Sequence, residues 1–188
     1  YLLDAWEWQR HSPLDTSSAT TLVNLASVLQ MSQQLETAAS YYQQALDFFE
    51  KQGDKNHLAQ VLGNLGTLHL ENGQVELAQQ YFLHDLEINQ QLGDIASQAQ
   101  TLNNLGITYR RLGLPGQALD FYEQCVQLRQ ELGDERGVLV TLLNKVILLQ
   151  EVGQKHQALE TLSESLSLAK SLDDQARISQ IESWMSDI

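Results

Sequence analysis

A single cysteine, Cys125, stands among 188 residues, so the chain cannot close an internal disulfide or build a Cys-rich zinc site. Proline is nearly as scarce, at two, and glycine occurs 11 times. Such a chain has few residues that break helices. Basic residues are also few: 11 Lys and Arg stand against 24 Asp and Glu, for a net charge of -13. That balance argues against a nucleic-acid binder, whose affinity rests on neutralising phosphates, and against docking on an anionic membrane. No apolar run approaches the roughly 18 residues of a transmembrane helix. The stretch from Tyr1 to Arg10 lacks a basic n-region and a cleavage pattern. Together these absences predict a soluble, cytoplasmic, helical chain.

What is present is a repeat. Gly53-Asp54, Gly93-Asp94 and Gly133-Asp134 are spaced by 40, and Asp173-Asp174 falls at the next step. Leu22, Leu62, Leu102 and Leu142 keep the same interval, as do Ala38, Ala78, Ala118 and Ala158. Asn24, Asn64, Asn104 and Asn144 form a further column. An aromatic column, Tyr42, Phe82 and Tyr122, ends in Leu162, and Gly73, Gly113 and Gly153 are preceded by Gln33. Each unit reads as two helices. In the second unit, Asp54 is the expected N-cap of a helix from about Lys55 to Glu71, with Leu58, Leu62 and Leu65 on one face. Asn72-Gly73 is the turn, and a second helix runs from about Val75 to Leu92 before Gly93 ends it. Pro115 opens the second helix of the third unit, where a missing N–H costs nothing. Gly66 and Gly106 are expected to let paired helices approach, with Tyr42, Phe82 and Tyr122 filling the gaps. One such pair cannot bury its apolar face, so neighbours must stack.

The expected fold class is therefore all-α, a solenoid of helix pairs. Its boundaries are 1–14 (a half-unit or cap), 15–53, 54–93, 94–133 and 134–173 (four repeats), and 174–188 (a capping helix or the first helix of a fifth unit). The half-units suggest a piece of a longer array, or two true caps, with Trp6, Trp8 and Trp184 as anchors or as surfaces for missing repeats.

The motifs resemble the tetratricopeptide repeat. Leu62, Leu65-Gly66, Gly73, Ala78 and Phe82 match its pattern, as do Leu102, Leu105-Gly106, Tyr109, Gly113, Ala118 and Tyr122. The first unit matches through Leu22, Leu25-Ala26, Ala38, Tyr42 and Ala45, while the fourth departs from it, with Lys145-Val146 in place of Leu-Gly. The 40-residue spacing is similar to that of Pins-type spindle-orientation adaptors, kinesin light chains and bacterial signalling proteins. The resemblance implies a right-handed superhelix and a protein or peptide partner held in a concave groove lined by the first helices. It places Asn24, Asn64, Asn104 and Asn144 in that groove, with Gln60, Gln100, Asn103 and Ile107 beside them. Arg110, Arg111, Leu143 and Ile147 belong to it as well, and the same register adds Val23, Ser27, Gln30 and Thr67. An Asn side chain offers two donors and an acceptor to a peptide backbone. The alternative is that each Asn orders the stack.

Arg110 and Arg111 form the one adjacent basic pair. Arg110 is expected to hold a ligand carboxylate, Arg111 to balance surface charge; the alternative partners are Asp120, Glu123 or Glu151. The groove grades from polar in the first unit to apolar in the fourth through Ile107, Val140, Leu143 and Ile147. The Lys and Arg clamp of chaperone-tail binders is missing, since Val23, Gln100 and Asn104 occupy its positions. Lys145 is expected to snorkel or to pair with Glu182 or Asp187, His69 to be a core histidine and Cys125 an inert buried thiol. No His-Glu-x-x-His helix, phosphate loop or nucleophile elbow occurs. The expectation is a non-catalytic interaction module without metal or cofactor, or the sensor or assembly arm of a larger bacterial signalling protein. It is expected to associate through array ends if at all, and to avoid nucleic acid and membranes.

Overall fold

The computed structural model describes residues 15–188, and among these it shows nine helices and no strand. They are α1 (Thr16–Met31), α2 (Leu35–Gln52), α3 (Lys55–Glu71), α4 (Val75–Leu92), α5 (Ile95–Arg111), α6 (Pro115–Glu131), α7 (Glu135–Glu151), α8 (Lys155–Ser171) and α9 (Gln175–Ser186). The bounds of α3 and α4 are those expected from the repeat, and α6 begins on Pro115. The expected half-unit 1–14, with Trp6 and Trp8, lies outside the described residues.

The helix ends follow from local chemistry. Asp15, Asp54, Asp94, Asp134 and Asp174 each accept a hydrogen bond from the backbone N–H three residues on. In the first unit the cap stands 39 residues before Asp54, so α1 starts one position late while the Leu column keeps its step of 40. At Asp54 one residue serves two helices. Its N–H donates to the Phe49 carbonyl at 3.0 Å, closing α2, and its carboxylate accepts from His57 N–H at 3.2 Å, opening α3.

Turns between helices need a left-handed residue, which glycine supplies at Gly53 (φ 69°) and Gly73 (φ 75°). Among the described residues two positions take that conformation without glycine: Gln33 (φ 62°) and Asp173 (φ 54°). Replacing either with glycine should raise stability, by about 1 kcal/mol each, because the left-handed cost of a side chain disappears. Urea unfolding of Gln33→Gly and Asp173→Gly checks this, and unchanged midpoints contradict it.

The described residues fall into two compact units, one ending at Gly93 and one beginning at Asp94. In the first, α1 packs on α2, α2 on α3, and α3 on α4. Turns of two or three residues make these neighbours antiparallel. Leu22, Ala26, Tyr42, Phe49, Leu62 and Leu65 belong to its core. Gly66 lies against the buried Phe82 ring: a Cβ there would sit 2.6 Å from Phe82 Cε1. In the second unit α5 packs on α6, α6 on α7, α7 on α8 and α8 on α9. Gly106 faces Tyr122 at still closer range. In the fourth pair Val146 and Leu162 share a core with Ile178 and Ile181, and Trp184 of α9 packs against it.

Candidate functional site

The first helices of the pairs, α1 and α3 in one unit and α5 and α7 in the other, carry the expected groove residues. A helix turns by about 100° per residue, so neighbouring positions on one helix meet different surroundings. Asn24, Gln60, Gln100 and Arg111 are exposed. Asn64, Asn104, Asn144, Ile107, Arg110 and Ile147 are half-buried. Asn103 and Leu143, expected beside the Asn column, are buried at 5% and 4% exposure and take no place on an open face. Val23, in the same register, is also buried. This register turns toward the neighbouring helices.

Asn144 is partly spent within its unit. Its Nδ2 donates to Asn103 Oδ1 at 3.0 Å, joining α7 to α5. That bond satisfies the buried Asn103 oxygen and leaves the Asn144 oxygen uncommitted by it. Arg110 is also engaged: its guanidinium meets Glu151 at 2.6 Å, linking α5 to α7. The Arg side chain is 22% exposed and the Glu side chain 51% exposed. Beside them the Tyr122 hydroxyl is buried without a hydrogen-bond partner of good geometry. Burial pushes its pKa up to about 12, against the opposing pull of the Arg110 charge.

The first unit has an open hollow of about 320 Å³ between α1 and α3. Ser27, Gln30, Asn64 and Thr67 line it from expected groove positions, Tyr42 contributes from α2, and Glu71 stands at its rim. The Tyr42 hydroxyl is 2.9 Å from Ser27 Oγ and donates to Gln30 Oε1 at 3.2 Å. Gln30 Nε2 donates to Glu71 Oε2 at 2.7 Å. Burial raises the pKa of Tyr42; the Ser27 hydrogen bond opposes that rise and the Glu71 charge adds to it. From sequence Tyr42 reads as a gap filler; the structure adds a polar edge to it.

Other expectations meet different surroundings. Lys145 extends to Glu123 of α6, with Nζ 3.0 Å from Oε1, rather than to the last helix, because the Lys sits on the side of α7 that faces α6. His69 is not a core residue: half-buried near the end of α3, it stacks on Tyr81 and its Nδ1 lies 2.6 Å from Gln74 Oε1. Cys125 is buried, donates to the Ala99 carbonyl at 3.1 Å and lies 3.2 Å from Thr141 Oγ1. Burial raises its thiol pKa, the opposite of an activated nucleophile. Arg129, which no motif singles out, is buried and donates to the Gly137 carbonyl and to Gln100 Oε1. Its column in the repeat reads Phe49, Asn89, Arg129, Ala169, so the 40-residue pattern carries no signal for it. Among the described residues no cluster of His, Cys, Asp and Glu has the geometry of a metal site. None of the described helices is long and apolar enough to cross a membrane.

Comparison with known proteins accords with the repeat. A family model described as "Tetratricopeptide repeat" matches residues 17–91 and 97–171. A search of curated proteins found no significant sequence match. The fold is similar to aspartyl phosphate phosphatase F from Bacillus subtilis, with TM-score 0.86 at 15% identity, over 96% of this chain and 48% of that one. It is similar to a putative kinesin light chain from Podosopora anserina with nearly identical TPR-like repeats, with TM-score 0.77 at 20% identity, over 90% of this chain and 85% of that one. A third similar structure is a signal transduction ATPase with a tetratricopeptide repeat sensor from Pyrococcus horikoshii. There the TM-score is 0.86 at 14% identity, over 98% of this chain and 29% of that one. The chain thus spans about half of the phosphatase and less than a third of the ATPase. Identities this low speak for the fold alone. With two matches that together cover most of its length, the chain belongs to the tetratricopeptide-repeat family.

Proposed function

We propose that the chain is a non-catalytic protein-interaction module whose first helices receive a peptide or partner helix. The observation that carries this reading is the hollow between α1 and α3, lined from four expected groove positions. Asn64 is one of the lining residues, and a carboxamide suits a peptide backbone. In the second unit Ile107 and Ile147, on the first helices that carry Asn104 and Asn144, are half-buried, suited to an apolar side chain. The net charge of -13 favours a basic partner through long-range attraction, which salt weakens.

A second reading is favoured by fold similarity to a signal transduction ATPase that has a tetratricopeptide repeat sensor. In that reading the array is the sensor or assembly arm of a longer signalling protein and binds a segment of that protein or another copy of itself.

A pull-down with the native chain and with the double variant Asn64→Ala, Asn104→Ala tests the groove. Recovery of partner should fall at least about tenfold, the loss expected when two backbone-directed hydrogen bonds are removed. Equal recovery by both forms removes the Asn residues from the site.

A further inference from the structure

We infer that the hollow between α1 and α3 is a receptor for a cationic side chain, a guanidinium or ammonium carried by the partner; this rests on the groove reading above. The support is a comparison of two equivalent places in the chain. Gln30 and Glu71 are joined across 41 residues at 2.7 Å, and Arg110 and Glu151 are joined across the same 41 residues at 2.6 Å. Both pairs link the ends of successive first helices next to a second-helix tyrosine, Tyr42 in one case and Tyr122 in the other. In the second unit the chain supplies its own cation, and Arg110 meets the carboxylate. In the first unit glutamine stands where that arginine would be. Its amide hydrogen-bonds to Glu71 but carries no charge.

The difference leaves room and an uncompensated charge together. About 320 Å³ is open beside Gln30, and Glu71 is the one charged residue that lines it. The other polar groups suit a bound cation. The carbonyl oxygen of Gln30 and the Tyr42 and Thr67 oxygens have acceptor lone pairs, and the Asn64 amide oxygen is a further acceptor. A guanidinium presents several donors in one plane and so matches a carboxylate together with neighbouring neutral oxygens. An anionic side chain would instead meet the Glu71 carboxylate. The pattern at Arg110, Glu151 and Tyr122 shows what this scaffold accepts at that place, and the partner supplies in the first unit what Arg110 supplies in the second.

The test uses the full chain and a blocked pentapeptide, Ala-Ala-Arg-Ala-Ala, beside a counterpart with uncharged citrulline for arginine. Side-chain amide resonances of Gln30 and Asn64 are followed by NMR at low salt. The arginine peptide should shift both saturably and the citrulline peptide should bind at least about tenfold more weakly, as loss of a charge-assisted contact requires. Glu71→Gln should remove that preference. Gln30→Arg should also remove binding, because the new side chain reproduces the Arg110 pair and fills the hollow. Both sites are at a solvent-facing helix end, and an unchanged backbone spectrum verifies the fold of each variant. Equal binding of the two peptides overturns the cation receptor while leaving a peptide groove in place. No shift with either peptide also overturns it, and the groove reading then stands or falls on the Asn64 and Asn104 pull-down.

Discussion

Gly106→Val is expected to destabilise the chain by about 2–3 kcal/mol, the usual cost of forcing extra methyl groups into a packed core. The Tyr122 ring lies directly over Gly106, closer than a Cβ tolerates, and both residues are buried. The fourth pair shows the remedy. At the equivalent positions the chain has Val146 with Leu162, both fully buried. A branched side chain on the first helix is matched there by a smaller one on the second. Tyr122→Leu alone should also destabilise, because it opens a cavity beneath Gly106. Combined, the two changes should cost at least about 1 kcal/mol less than the sum of the single changes, as expected for residues in direct contact. Urea midpoints of the four proteins check this. Strict additivity would mean that the glycine and the ring do not share one space.

Stability above pH 10 should fall more steeply in the native chain than in Tyr122→Phe. The Tyr122 hydroxyl is buried beside the Arg110 guanidinium, and its pKa is pushed up to about 12, mainly by burial. In the unfolded chain a tyrosine titrates near the ordinary value of 10.0. The folded form therefore holds its proton more tightly. Its contribution to stability is fully present below pH 10 and is lost as pH rises toward 12. A shift of about two units corresponds to roughly 3 kcal/mol over that window. Burial raises the pKa of Tyr42 and Tyr81 as well, so the variant keeps part of the alkaline slope. Phe82 already fills the equivalent place in the second repeat. Parallel urea midpoints for the two proteins from pH 8 to 12 contradict the assignment.

The period of 40 made the helices legible almost to the residue. Asp54 and Gly93 mark a start and an end by chemistry that does not depend on distant contacts, and α3 and α4 have the bounds they imply. The close approach at Gly66 was legible for a similar reason: a small residue and an aromatic recur in step. The site was less legible because it depends on how far each helix is rotated against its neighbours. Asn103 and Asn104 are adjacent in sequence, yet the first is buried and accepts the Asn144 amide, while the second is half-exposed. Lys145 was misread on the same account, since only the packed structure shows that it faces Glu123. Arg129 was missed because its column holds four unlike residues. The Gln30 and Arg110 contrast was present in the alignment of repeats, but its meaning needed the second partner in each pair, Glu71 and Glu151.

In the proposed function the partner meets the first helices of the pairs. Photo-crosslinking tests it most directly, with a benzophenone amino acid placed at exposed positions, Gln60 and Val140 on first helices and Gln80 and Asp120 on second helices. Crosslinks to partner are expected from Gln60 and Val140 and none from Gln80 or Asp120. Crosslinks confined to the second-helix positions would contradict it.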